Sequence, residues 1–126
     1  MSARHAFVID RSRWARGKRD MGNLLLGDDG AMCCLGFYLE SCGVNRSDLL
    51  RVGDPDVVAS SVSLPEETRW LVREENDDGE ALWFQSPECR LLIDENDERV
   101  SHLREERIAA MFAKQGIDVT FVDGEP

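Results

Sequence analysis

Long apolar runs are missing from this sequence. The longest, Ala31 to Leu39, falls short of the ~20 residues a membrane-spanning helix needs, and Ala6 to Ile9 is too short for the apolar segment of a secretory signal. A cytoplasmic location is therefore expected. Positive charge is also scarce: 15 Lys and Arg face 25 Asp and Glu, for a formal net charge of −10. Such a chain repels anionic membranes and phosphates, so no membrane partner is expected. Internal repeats, low-complexity tracts and Pro- or Ser-rich linkers are absent as well. With 126 residues, 42% of them hydrophobic, residues 1–126 are expected to form a single domain around one core.

Metal-ligand spacing is lacking too. Zinc sites favour C-x₂₋₄-C or H-x₃₋₅-H, and Cys33, Cys34, Cys42, Cys89, His5 and His102 supply neither. On one helix, Cys34 and Cys42 would stand about 12 Å apart along the axis, too far to share an ion. Neighbours such as Cys33 and Cys34 do not pair readily, so free buried thiols are expected. Asp94-x-Asn96-x-Glu98 lacks the glycine and distal glutamate of a calcium loop, and no glycine-rich loop is present to cradle a phosphate. Neither metal nor cofactor is expected. An enzymatic alternative is a small thiol-dependent hydrolase using Cys33 or Cys34 with a histidine, which needs a base within reach and a lowered thiol pKa. Packing argues against it, because Cys34 falls inside a broad apolar arc and free cysteine is among the most buried residue types.

The pattern predicts an α+β fold: a central buried helix (about 33–42) and a C-terminal helix (about 103–115), packed on a small mixed or antiparallel sheet. Gly36 inside the first helix marks a close approach by another backbone, and Gly43 fits the left-handed position past its end. Ser63-Leu64-Pro65-Glu66 matches a capping box and predicts a helix from Pro65 to about Glu75, stopped by a turn at Asn76-Asp77-Asp78-Gly79. Strands are predicted at His5 to Ile9, Asn23 to Leu26, Ala81 to Phe84, Arg90 to Ile93 and from Ile117, with Ile117, Val119 and Phe121 on one face. The second helix carries Ile108, Met111 and Phe112 as its core stripe, and Asn96-Asp97-Glu98 is read as the approach to its start.

Several blocks recur in a familiar order: Trp14 with Arg16-Gly17, then Cys33-Cys34-Leu35-Gly36, Leu64-Pro65-Glu66-Glu67, Asn96-Asp97-Glu98 and Ile108-Ala109. The order resembles that of a family of small proteins encoded by phages and prophages, with a W-x-RG…CCLG…LP…NDE pattern. The family has no established activity. The resemblance therefore implies a mobile-element setting and not a reaction.

Charge is distributed unevenly. Residues 1–20 hold six bases (Arg4, Arg11, Arg13, Arg16, Lys18, Arg19) and two acids, a net of +4 that leaves −14 on the remainder. This basic N-terminal segment either folds back on the acidic remainder or, with Trp14 as a stacking residue, acts as a nucleic-acid adaptor through Arg4 to Arg19. From Glu74 to Glu98 ten acids face one base, Arg90. Glu74, Glu75, Asp77, Asp78, Glu80, Asp94, Glu95, Asp97 and Glu98 are the candidate partner-binding residues, two acidic turns able to occupy a protein groove that normally takes phosphates. The expectation is a non-catalytic, acidic binding protein that inhibits a host protein with a basic nucleic-acid-binding groove. Its sharpest form is an anti-CRISPR-like or other anti-defence nucleic-acid mimic.

Overall fold

β1 (His5–Asp10) and β4 (Ile117–Val122), the first and last strands in the chain, lie side by side and parallel, His5 opposite Ile117 and Asp10 opposite Val122. Parallel neighbours need a crossover. Here nearly the whole intervening chain supplies it. A computed structural model describes residues 5–17, 23–98 and 102–124, apart from the side chains of residues 76, 77, 80 and 81. Between the outer strands run α1 (Cys34–Ser41), α2 (Arg46–Leu49), α3 (Pro55–Ser61), the antiparallel hairpin β2 (Val72–Asp77) and β3 (Glu80–Gln85), α4 (Pro87–Asp97) and α5 (Arg104–Ala113). The result is a small α+β domain whose helices pack on open two-stranded ribbons.

α1 is the centre of the core, with every residue from Cys34 to Leu39 buried. Its Gly36 is required by space: a Cβ there would lie 2.8 Å from the carbonyl carbon of Leu25 and closer still to its oxygen. Gly43 ends the helix at φ +99°, the left-handed position that glycine enters without a Cβ clash. Tyr38 joins Phe7, Trp70 and Phe112 in one aromatic cluster with ring centroids 5.0 to 5.7 Å apart, the spacing of favourable offset and edge contacts. From α5, Ile108 and Phe112 reach this core fully buried while Met111 is half-buried, and β4 turns Ile117 inward and Asp118 and Thr120 outward.

Three elements differ from the sequence expectation, each for an identifiable reason. Asn23 to Leu26 is not a strand, because its backbone bonds go singly to different segments: Leu25 N donates to Val52 O, while Leu24 O accepts from Cys33 N. The segment after Pro65 forms only a 3₁₀ stretch, Glu66–Leu71, and Val72 onward is strand. There Asp78 (φ +51°) and Gly79 (φ +84°) form a tight two-residue turn that pairs Val72 with Gln85, so tertiary hairpin pairing overrides the local helical signal. Arg90 to Ile93 is helical. Ser86 caps α4 by accepting from Cys89 N at 3.0 Å with Pro87 in the first turn, and Cys89, Leu92 and Asn96 recur at helical spacing on the buried face. Asn96-Asp97-Glu98 therefore ends a helix instead of approaching one.

Candidate functional site: thiols, acids and an acidic cleft

The lowered thiol pKa that a thiol enzyme would need is not found at Cys33 and Cys34. Both are sealed in the core at 5% and 0% exposure, and burial pushes the Cys33 thiol up to about 12 and the Cys34 thiol well above its ordinary value. Cys89 is buried and shifted upward for the same reason. A nucleophilic thiol needs the opposite shift. The thiol brought to a histidine is Cys42: His5 Nε2 lies 3.6 Å from Cys42 Sγ and 2.8 Å from Ser41 Oγ. Ser41 Oγ donates to Tyr38 O, so it accepts from His5 Nε2–H, and that nitrogen is a donor with no lone pair to act as base. Burial raises the Cys42 thiol as well. His102 is exposed beside the groove between α4 and α5. Among the described residues, no three His, Cys, Asp or Glu side chains come together as metal ligands, and no helix is long and apolar enough to cross a membrane.

The basic segment is tied down where it is described. Arg11 makes a two-pronged contact with Glu105 of α5 (2.9 and 2.7 Å), and Arg16 lies 3.8 Å from the same carboxylate and 4.6 Å over the Trp14 ring. Arg13 reaches Asp10 at 3.5 Å. Trp14 is 4% exposed, so it is a core residue and cannot stack on a nucleobase, which corrects its adaptor role. Arg4, Lys18 and Arg19 lie outside the described residues.

The acidic stretch is divided by the fold. Glu74 and Glu75 are exposed on β2, Glu75 beside Arg73, and Asp78 is exposed at the hairpin tip. Asp77 and Glu80 pair through their backbones at the base of that turn, and their side chains lie outside the description. On α4, Asp94 is exposed and 3.3 Å from Arg90, and Glu98 is exposed just past the helix. Glu95 and Asp97 turn inward instead: Glu95 is buried with Arg107 Nη1 at 3.2 Å, and Asp97 Oδ1 accepts from Asn23 Nδ2 (2.7 Å) and Asn96 Nδ2 (3.0 Å).

Asp97 helps to form a cleft of about 320 Å³ between Asn23 and Leu24, the start of α1, Asp54 and α4 from Arg90 onward. Among the described residues, Asp54, Asp94 and Asp97 line it with a single base, Arg90, and Leu24 and Ile93 add apolar wall. Burial pushes the Asp54 carboxyl up, reinforced by Asp56 and Asp97 and opposed by Arg90. Sequence reasoning missed Asp54 and Asn23 here. The Asp54-Pro55 pair that starts α3 was a visible helix-start signal, but its proximity to α4 is purely tertiary.

Compared with family models, curated proteins and solved structures, the chain matches none of them.

Proposed function

We propose that this protein is a non-catalytic binding protein whose exposed acids engage a basic groove on a partner protein. The observation that carries the reading is the division of the acidic stretch. Glu74, Glu75 and Asp78 on the hairpin, Glu88 and Asp94 on α4 and Glu98 just past it stay in solvent, while the thiols that an enzyme would use are sealed. On a chain of net charge −10 these acids present a negative face that competes for sites normally occupied by phosphates. The W-x-RG…CCLG resemblance points to a phage or prophage setting, so the partner is a host nucleic-acid enzyme and the activity is anti-defence inhibition of the anti-CRISPR kind.

Charge reversal tests this directly. A variant with Glu74→Lys, Glu75→Lys, Glu88→Lys and Glu98→Lys keeps its melting temperature, since all four side chains are outside the core. It loses the partner, and the wild-type complex falls apart when salt is raised or duplex DNA is added, because exposed charges are screened over about 8 Å at physiological ionic strength. Full binding by the reversed variant, or binding indifferent to salt, shows that another face makes the contact.

A further inference from the structure

We propose that the cleft between Asp54 and the C-terminal half of α4 binds an alkyl-guanidinium group, either as a free small molecule or as the arginine side chain of a protein. The site shares only Asp94 with the exposed acids and stands without the reading above. Its polar wall consists largely of acceptors. Among the described residues, Asp54, Asp94 and Asp97 face one base, and both amide bonds to Asp97 fall on Oδ1, with Oδ2 accepting from none of them. Asn23 adds an independent sign of a missing donor. It lines the cleft, is 7% exposed, and its Oδ1 has no donor among the described residues. The orientation of that amide is settled by its other end, since Nδ2 donates to Gly17 O at 2.6 Å and to Asp97 Oδ1 at 2.7 Å, both of them acceptors. A buried amide oxygen left without a donor is costly, and a ligand carrying N–H groups removes that cost.

The shape selects among cations. No three carboxylates among the described residues converge closely enough to ligate a bare metal ion, so the ligand must itself spread its donors over several acceptors. Guanidinium does so with five N–H groups in a plane, and it sheds water more readily than an ammonium. Leu24 and Ile93 supply the apolar wall along which an aliphatic stem lies. Arg90 already shows the preference of the rim: its Nε sits 3.3 Å from Asp94 Oδ1, while both side chains remain more than half exposed. It is a weakly held internal competitor that a ligand displaces.

The test titrates the full-length protein with agmatine, with an end-blocked arginine peptide, and with the same peptide carrying citrulline, following amide shifts and heat. Both guanidinium probes bind, and the uncharged citrulline peptide binds at least about tenfold more weakly, as expected for hydrogen bonds to a charged group. A tighter peptide assigns the site to a protein side chain; equal or tighter agmatine assigns it to a free metabolite. Asp97→Asn keeps the oxygen that Asn23 and Asn96 need, and weakens binding about tenfold, whereas Arg90→Gln, an exposed change that leaves the fold intact, strengthens it. Asp78→Asn, the same charge change at the distant hairpin tip, has no effect. The proposal is overturned if neither guanidinium probe binds, if citrulline binds equally, if Arg90→Gln fails to strengthen binding, or if Asp78→Asn weakens binding as much as Asp97→Asn.

Discussion

Trp14 Nε1 donates a 2.8 Å hydrogen bond to Asn96 Oδ1, joining residues 82 positions apart at the point where the basic N-terminal segment meets the end of α4. The same oxygen accepts from Cys34 N at 3.0 Å, and Asn96 Nδ2 donates to Ala15 O at 2.9 Å. One amide thus satisfies an indole, the first N–H of the most buried helix, and a loop carbonyl. Asn96→Leu leaves all three without partners, and a urea titration should show a loss of roughly 3 kcal/mol, since each orphaned buried group costs about 1–3 kcal/mol and part of the site relaxes. A loss under about 1 kcal/mol would show that water replaces the amide.

Gly36→Ala reverses the usual sign of a helical substitution. In an open helix alanine gains ~1 kcal/mol over glycine. Against the Leu25 carbonyl, the added methyl forces α1 away from its neighbour and should lower stability by roughly 1–3 kcal/mol or more, read as a fall in melting temperature. An unchanged or higher melting temperature contradicts the close approach.

Leu35 is fully buried in α1. Leu35→Asp places an unpaired carboxylate in the core and should abolish cooperative melting.

The thiols make stability fall at high pH. Burial raises Cys33 from the ordinary 9.0 to about 12, with Cys34 and Cys89 shifted the same way. The folded state holds these protons more tightly, so the stabilisation is complete below pH 9.0 and is lost as pH climbs toward about 12. Thermal melts from pH 8 upward should show that decline, and a Cys33→Ala variant should show less of it. In native protein a thiol reagent should reach half-buried Cys42 first, and the other three only after denaturation.

Asp54→Asn should melt at or above the wild-type temperature at neutral pH. Burial raises the folded-state pKa of Asp54, so its contribution is most favourable below the ordinary 3.8 and declines as pH rises through the folded value. The advantage of asparagine should therefore vanish in acid. A large loss of stability at pH 7 would show that the carboxylate holds the loop before α3.

The buried helix, its two glycines, the last helix and the alternation of the final strand were legible in the sequence because each is dictated locally. An apolar arc, a positive φ or a period of two is a property of adjacent residues. The Ser86-Pro87 start of α4 was equally local and was overlooked in favour of a short apolar run, which strand and helix share. Other outcomes had no local signature. Whether residues 72–77 form helix or strand depended on a partner strand closing across Asp78-Gly79. Which acids face solvent depended on Arg107 and Asn23, positions remote in the chain that draw Glu95 and Asp97 inward. Charge count and helix phase belong to the sequence. The cleft belongs to the tertiary structure, because only packing brings Asn23, Asp54 and Asp97 close enough for burial and shared hydrogen bonds to change what their side chains can bind.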